Sequence, residues 1–248
     1  MARLFVITGA SRGIGAALAA QAVAAGHRVL AIARGPCPHG DGLELDLGEP
    51  RLIEQILPAR LAGYRNDGLE GAVLVNNAAT IEPIGSDWSA DAALAHVALN
   101  LVAPMVLARV FLGSFADLAI DKRIVNISSG AATRAFDGWS LYGASKAGLD
   151  QFTRCLALEQ ARAPHPADVV AVGPGVVDTG MQARIRAADP ADFPLRPVFD
   201  ELQAEGRLAD PQQVAARLLA GMLGRRRYAG AVVRIEAFGD ECEPDAEA

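Results

Sequence analysis

The N-terminal segment of the chain constrains the fold more than any other. Residues 4–8 form a continuous apolar run, which is typical of a strand buried on both faces. A glycine-rich turn follows at residues 9–15, and an Ala/Leu pattern then predicts a helix that ends near residue 25. This order suits a dinucleotide, because glycines let backbone N–H groups approach a pyrophosphate and the helix N-terminus carries positive partial charge. A glycine cluster can also be an ordinary tight turn, and the flanking strand and helix are what favour the nucleotide interpretation.

The rest of the 248-residue chain alternates between short apolar runs and helical patterns. The runs that predict further strands lie at residues 27–33, 43–45, 71–76, 123–128, 169–172 and 231–235. The helical patterns lie at residues 50–61, 91–118, 142–158 and 210–223. This alternation predicts an α/β fold, a single-domain Rossmann-like doubly wound parallel sheet of about seven strands with helices on both faces, across residues 1–248.

Two segments fall outside this alternation. Residues 180–208 contain Pro190, Pro194 and Pro197 and are predicted to be a long irregular stretch, more consistent with a substrate lid or loop than with a linker. Residues 240–248 are acidic and predict a frayed C-terminal tail.

A second motif carries the chemistry. Tyr142 and Lys146 are four residues apart, so on a helix they lie on the same face, one turn from each other. A phenol has a pKa near ~10, and an adjacent ammonium is expected to lower that pKa and make proton transfer to a substrate oxygen feasible. Ser129, released at the end of the fifth predicted strand, is placed to hydrogen-bond the same oxygen. The spacing also occurs by chance on amphipathic helices, but Lys122 and Lys146 are the only lysines among 23 cationic residues, which hints that a compact ammonium is required here.

The coenzyme preference is read from two arginines. An acidic residue that would hold the ribose 2′-hydroxyl of NAD is missing after the second strand, where Arg34 stands instead. Arg34 and Arg12 of the glycine turn are predicted to bind a 2′-phosphate, which indicates NADP(H), although both could simply be exposed. Asp46 and Leu47 follow the third strand, where an adenine would lie.

Several predicted strand ends carry residues suited to a ligand. The turn after the fourth strand contains Asn76 and Asn77, which suit a coenzyme lying against the backbone or an ordinary Asn-rich turn equally well. Ligands of open parallel sheets bind beyond the carboxyl ends of the strands, where the glycine turn, these asparagines, Ser129 and residues 173–175 all fall. Asn100 is a buried polar side chain that must be hydrogen-bonded, either to its own helix or to a water near the lysine.

Composition excludes several classes of protein. A formal charge of −6 and a pI near 5.3 argue against nucleic-acid binding. Cys37, Cys155 and Cys242 have neither metal-ligand nor disulfide-framework spacing, so no metal is expected. No leader pattern is present, and polar residues interrupt the apolar stretch 92–118, so no membrane span is expected. The expectation is a soluble cytoplasmic protein.

Together these motifs resemble the classical short-chain dehydrogenase/reductase family over residues 4–235. The resemblance implies that Ser129 and Tyr142 contact the substrate carbonyl, that Lys146 binds the nicotinamide ribose and lowers the tyrosine pKa, and that Asn100 anchors a water of the proton relay. Ala79 departs from the glycine usual at that position. The residues that the motifs and the resemblance assign to the coenzyme are Gly9, Ser11, Arg12, Gly13, Ile14, Gly15, Arg34, Asp46, Leu47, Asn77, Ala78, Ala79, Tyr142, Lys146, Pro174, Gly175, Val177 and Thr179.

Within that family the chain is most similar to sepiapterin reductases and bacterial benzil reductases, as residues 128–132, 138–142, 178–182 and 205–208 indicate. Those enzymes reduce one carbonyl of vicinal dicarbonyl compounds with NADPH. Sepiapterin reductases hold the pterin with an Asp after the last strand, where this chain has Ala237, which counts against a pterin substrate. The predicted substrate pocket comprises Ser129, Phe136, Trp139, Tyr142, Met181 and Phe193, although the aromatic residues are equally consistent with core packing.

The resulting expectation is an NADPH-dependent carbonyl reductase that acts on a small-molecule ketone, with Tyr142 as proton donor. A 3-oxoacyl or steroid ketone reductase and a non-catalytic NADPH-sensing regulator remain as alternatives. The family commonly pairs two helices, which implies a homodimer through residues 100–118 and 149–158, with further pairing into a tetramer left open.

Overall fold

The seven predicted strands form one sheet. The computed structural model describes residues 2–65, 67–228 and 230–238. Within them, all pairings between neighbouring strands are parallel and the strand order is β3-β2-β1-β4-β5-β6-β7. The strands are β1 (Arg3–Thr8), β2 (Arg28–Ala33), β3 (Asp41–Glu44), β4 (Gly71–Asn76), β5 (Asp121–Ile127), β6 (Ala167–Gly173) and β7 (Val232–Arg234). The doubly wound fold predicted from the sequence is therefore confirmed.

Helices cover both faces of the sheet. They are α1 (Gly13–Ala24), α2 (Pro50–Ala62), α3 (Ala90–Val97), α4 (Ala103–Ser114), α5 (Ser140–Gln160), α6 (Gly180–Ala187), α7 (Arg196–Ala204) and α8 (Pro211–Leu223). Helices α1 and α8 pack on one face, and α2, α4 and α5 pack on the other. Consecutive strand residues point to opposite faces. Phe5 and Ile7 therefore enter the core against α1 and α8, called the first core, while Leu4 and Val6 enter the core against α2, α4 and α5, called the second core. Burial on both sides explains why β1 is a continuous apolar run.

The structure corrects two predicted segments. Residues 180–208 are not irregular, because they contain α6 and α7. Pro190 and Pro194 lie between these helices and Pro197 lies in the first turn of α7, where a missing N–H costs nothing. The predicted helix 91–118 runs from residue 90 to residue 114 and contains a π-helical turn at Ala98–Val102. The predicted acidic tail, residues 240–248, lies outside the described residues.

By length and composition alone, the helical stretch Ala90–Ser114 could cross a membrane. Its residues Ala103, Leu107 and Phe111 are instead buried in the second core, and the stretch carries the buried polar side chains of His96 and Asn100. Its apolar character therefore has a sufficient cause in packing against the sheet.

Candidate active site

A cavity of about 380 Å³ lies at the carboxyl ends of the central strands. Of the residues predicted to bind the coenzyme, those that line it are Gly9, Ser11, Arg12, Gly13, Ile14, Arg34, Asp46, Leu47, Asn77, Ala78, Ala79, Tyr142, Lys146, Pro174, Gly175, Val177 and Thr179. Gly15 lies beneath the turn instead of on the wall. Ser129 and Met181 also line the cavity, so elements far apart in sequence meet at one place.

The glycine turn is fixed to the neighbouring strand by side-chain hydrogen bonds. Thr8 Oγ1 accepts hydrogen bonds from the backbone N–H groups of Asn77 (2.9 Å) and Ala78 (3.0 Å). Asn77 Nδ2 donates in return to the Thr8 carbonyl at 2.8 Å. A Cβ at Gly15 would lie 2.4 Å from the Gly9 carbonyl oxygen, and Gly9 itself has φ +66°. Only glycine fits this close approach, which leaves backbone groups facing the cavity as a pyrophosphate requires.

Two arginines, both predicted to bind a 2′-phosphate, lie at one end of the cavity. Arg12 and Arg34 are both exposed and both line the wall. Within residues 2–65, 67–228 and 230–238, neither forms an ion pair with a carboxylate of the chain. Two unpaired guanidinium groups at one wall form a site for an anion such as a phosphate.

Ser129, Tyr142 and Lys146 lie together at the opposite end. The Lys146 ammonium is 5.8 Å from the centroid of the Tyr142 ring and donates a hydrogen bond to the Ile127 carbonyl at 2.7 Å. Tyr142 and Lys146 are both buried. Ser129 follows β5 and caps the short 3₁₀ turn Gly130–Ala132, its hydroxyl accepting from the Ala131 N–H at 3.2 Å.

The pKa of Tyr142 shifts in the opposite direction to the sequence expectation. Burial raises the pKa of Tyr142, and the hydrogen bond with Ser129 opposes that rise, so the expected lowering by Lys146 is not observed in this state. Burial likewise lowers the pKa of Lys146 to about 8, against the attraction of Asp150, which raises it. The physical reason is the same for both groups, because a water-poor interior disfavours the charged form of each.

The Asn100 side chain hydrogen-bonds to the backbone of Thr80 instead of to the backbone of its own helix. Its Oδ1 accepts from the Thr80 N–H at 2.9 Å, and its Nδ2 donates to the Thr80 carbonyl at 2.7 Å. Thr80 lines the cavity, whereas Asn100 lies behind the wall in the π-helical turn. Turns of this type are rare and frequently occur at functional sites.

Three of the predicted pocket residues lie outside the cavity wall. Trp139 stacks on Phe193 with ring centroids 4.7 Å apart, Phe193 is fully buried, and Phe136 packs on Trp139 at 5.2 Å. These rings form a third core with residues of α6 and α7 such as Ile185 and Phe199, so here core packing is the observed arrangement.

Sequence reasoning missed His96, Ser128, Ser145 and Asp150, all buried polar residues close to the site. Ser128 donates a hydrogen bond of 2.6 Å to Asp150 Oδ1, one turn of α5 beyond Lys146. The signal was present in the sequence, because Asp150 shares the helix face of Tyr142 and Lys146 at spacing four. Sequence reasoning also missed Gln182 and Arg184. Both line the cavity from α6, which lies in the segment predicted to be irregular.

The parallel sheet, the glycine turn and the buried Tyr/Lys pair define a Rossmann-like oxidoreductase. Residues 43–190 match the family described as short chain dehydrogenase. The chain is 37% identical over 241 residues to the benzil reductase ((S)-benzoin forming) of Bacillus subtilis (strain 168), covering 95% of this chain and 99% of that protein. It is 34% identical to the sepiapterin reductase of Rattus norvegicus, over 87% and 89% of the two chains.

Among solved structures, the crystal structure of the KRED1-Pglu enzyme matches with a TM-score of 0.79 at 27% identity, over 93% of this chain and 100% of that one. The chain belongs to the short-chain dehydrogenase family, whose members use nicotinamide coenzymes. It is an oxidoreductase that acts on the carbonyl–alcohol pair.

Proposed function

We propose that the protein is an NADPH-dependent carbonyl reductase that reduces one carbonyl of a vicinal diketone such as benzil, or of a sepiapterin-like compound, to the alcohol. The observation that carries the proposal is the single cavity shared by Ser129, Tyr142 and Lys146 with Arg12 and Arg34. Similarity to a benzil reductase along nearly the whole of both chains supports this substrate class.

The dimensions of the cavity fit a dinucleotide. Arg34 follows β2 and Ser129 follows β5, three strands away in the sheet, which at about 4.8 Å per strand corresponds to roughly 14 Å. The glycine turn lies between them at the end of β1 and can hold the pyrophosphate. Arg12 and Arg34 then bind a 2′-phosphate, which favours NADPH over NADH.

The nicotinamide coenzyme supplies a hydride to the carbonyl carbon when bound. Tyr142 donates its phenolic proton to the carbonyl oxygen, which becomes the hydroxyl of the product. Ser129 donates a hydrogen bond to the same oxygen and so holds the carbonyl against Tyr142. Lys146 is anchored on the Ile127 carbonyl with its ammonium 5.8 Å from the centroid of the Tyr142 ring, and its positive charge stabilises the phenolate that remains.

The direct test is Tyr142→Phe, with NADPH oxidation followed on benzil and 1-phenyl-1,2-propanedione. We expect kcat to fall by about 10²–10⁴-fold, the usual contribution of a positioned proton donor, while NADPH binding measured by fluorescence titration is retained. Near-wild-type turnover by this variant would refute the mechanism in which Tyr142 donates the proton.

Tyr64→Phe is the matched control. Tyr64 is also buried but does not line the cavity, and its hydroxyl donates at 2.5 Å to Oδ2 of Asp41, which begins β3 at the opposite end of the sheet. Loss of the Tyr64 hydroxyl should lower the free energy of unfolding and leave kcat unchanged. A 3-oxoacyl thioester and a steroid ketone complete the substrate panel. Preference for either of these compounds would change the assigned substrate class and leave the carbonyl reduction mechanism in place. A wild-type protein that reduces none of the carbonyl compounds favours an NADPH sensor.

We propose further that the protein is cytoplasmic and forms a homodimer through α4 and α5. Leu158 of α5 is 69% exposed and Val102, just before α4, is 37% exposed, which leaves apolar side chains on the surface that the dimer would bury. Light scattering tests the dimer, and a strictly monomeric mass over the micromolar range refutes it.

A further inference from the structure

The buried imidazole of His96 is joined to the candidate active site by a hydrogen-bond network. In this network the donor or acceptor role of each group determines the role of the next group. His96 and Asn100 are each 1% exposed and lie on the same helical stretch. No part of the chemistry proposed above uses His96.

The network starts from a peptide group whose polarity cannot be reversed. The Thr80 N–H donates to Asn100 Oδ1 and the Thr80 carbonyl accepts from Asn100 Nδ2, so the orientation of the amide is determined. Asn100 Nδ2, a donor only, lies 2.9 Å from His96 Nε2, which must therefore accept. His96 Nδ1 lies 2.7 Å from the Glu82 carbonyl, an acceptor only, and must carry the proton. The two shortest contacts of the ring, at 2.7 and 2.9 Å, thus favour the neutral Nδ1–H tautomer.

The same ring also contacts the helix that bears Tyr142 and Lys146. His96 Nε2 also lies 3.2 Å from Ser145 Oγ, but the one proton of that hydroxyl goes to the Tyr142 carbonyl at 2.9 Å, so an accepting Nε2 touches Ser145 without a hydrogen bond. The His96 ring meets the Tyr142 ring edge to face, with centroids 6.4 Å apart. One imidazole therefore accepts a hydrogen bond from the Asn100 amide that holds Thr80, and packs against the α5 segment that carries the proton donor.

We infer that His96, as the neutral Nδ1–H tautomer, is a positioning residue that holds Asn100 and the Tyr142 segment in their reactive arrangement, and that its protonation inactivates the enzyme. This inference deepens the proposed carbonyl reductase function and rests on it. A proton on Nε2 places a donor against the Asn100 amide, which cannot rotate to accept because Thr80 fixes it. Thr80 and α5 then lose their common support, and a displacement of about 1 Å at reacting groups can cost about 10²-fold in rate.

Burial, helped by the positive charge of Lys146, lowers the pKa of His96 and keeps the ring neutral near pH 7. Burial is the largest cause that lowers its pKa, and the positive charge of Lys146 on α5 acts in the same direction. The backbone carbonyls of Glu82 and Leu141 act in the opposite direction and are outweighed. Tyr142 is the other titratable group against the ring and is neutral in this range. Because the folded pKa lies below the ordinary 6.5, the neutral network is present at pH 7 and is lost as the pH falls through that lower value.

The first experiment measures kcat against pH for wild type, His96→Gln and His96→Leu, with enzyme-free blanks subtracted for acid decay of NADPH. Wild type should lose kcat on the acid side with a midpoint below 6.5. His96→Gln supplies an amide oxygen that accepts from Asn100 and does not titrate, so it should retain most of kcat at pH 7.5 and lack the acid limb. His96→Leu should lose about 10²-fold in kcat at pH 7.5, with an unchanged KM for NADPH.

His27→Gln is the matched control. His27 is also partly buried, accepts the Arg3 N–H at Nδ1 (3.3 Å) and has a pKa lowered chiefly by burial, but it lies at the opposite end of the sheet. This variant should keep the acid limb of wild type. An acid limb that persists in His96→Gln overturns the inference.

A second measurement does not depend on turnover. Long-range ¹H–¹⁵N correlation spectra, with His96→Gln used to assign the signal, should show the His96 ring as Nδ1–H at pH 7.5. An Nε2–H or doubly protonated ring overturns the inference even in a fully active enzyme. If wild type reduces no carbonyl compound, the proposed function fails, and an Nδ1–H spectrum still supports the network.

Discussion

The two ends of the cavity are built by different means. At the proposed coenzyme end the wall consists of the backbone of the glycine turn and of two exposed arginines, Arg12 and Arg34. At the catalytic end, Tyr142, Lys146 and Asp150 are all at most 6% exposed and belong to side-chain networks that cross from helix to strand. The first end depends on the space that glycines leave, and the second depends on hydrogen bonds between residues far apart in sequence.

This difference has consequences for how each end responds to substitution. A substitution in the glycine turn adds atoms to the space that the coenzyme needs, so it weakens coenzyme binding and leaves the catalytic groups intact. A buried polar network fails by losing orientation or charge, which changes kcat and its pH dependence with little effect on coenzyme affinity. Three substitutions test this separation.

The largest effect is expected from Gly15→Ala. The new Cβ would lie 2.4 Å from the Gly9 carbonyl oxygen and 2.6 Å from Asn77 Nδ2, so the glycine turn must move. Overpacking of this kind costs about 1–3 kcal/mol, which for a chain of this size lowers Tm by roughly 2–12 °C. We expect the Kd for NADPH to rise more than about tenfold, as measured by calorimetry.

Gly113→Ala is the control for that variant. Gly113 is also a helical glycine, but an added Cβ there meets nothing within 4 Å. Alanine should stabilise α4 by up to about 1 kcal/mol and leave NADPH binding unchanged. Equal NADPH affinities in the two variants would remove the steric account of the coenzyme end.

The contrast also explains which parts of the molecule the sequence predicts. The strand, the glycine turn and the helix of residues 4–25 are local signals, and the structure confirms those elements. The partners of Asn100 and His96 are not predictable in this way, because Thr80 and Ser145 are 20 and 49 residues away from them and no local pattern encodes that pairing. Helices α6 and α7 are not predictable from the local pattern, because prolines such as those near residue 194 are typical of irregular chain. Here they separate two short helices whose apolar residues Ile185 and Phe199 complete the third core.

A smaller effect is expected from Arg34→Ala. One charge-assisted hydrogen bond to a 2′-phosphate contributes roughly 1.5–3 kcal/mol, so kcat/KM with NADPH should fall about tenfold or more while the value with NADH hardly changes. Arg217→Ala, at an exposed position of α8 that does not line the cavity, is the control for a general loss of charge. An undiminished preference for NADPH in Arg34→Ala would assign the 2′-phosphate to Arg12 alone or to neither residue.

The smallest effect is expected from Asp150→Asn, which keeps an oxygen for the Ser128 hydrogen bond and removes one buried negative charge. Asp150 raises the pKa of Lys146, which burial lowers to about 8, so its neutralisation should lower that pKa further. If Lys146 must be protonated to stabilise the phenolate of Tyr142, kcat has its full value below the Lys146 pKa and falls as the pH rises through that pKa. The alkaline limb of kcat should therefore move to lower pH, with a few-fold loss at pH 7.5 and an unchanged KM for NADPH.

Glu159→Gln, at an exposed position of the same helix, should leave the alkaline limb of kcat in place. The pH profiles of the two variants measure whether the catalytic end responds through charge, as its buried network implies, or only through packing. Coincident alkaline limbs in Asp150→Asn and wild type would mean that Lys146 stays protonated without this carboxylate. The attraction between Asp150 and Lys146 would then be screened by Ser128 and by Arg154, whose positive charge already lowers the pKa of Asp150.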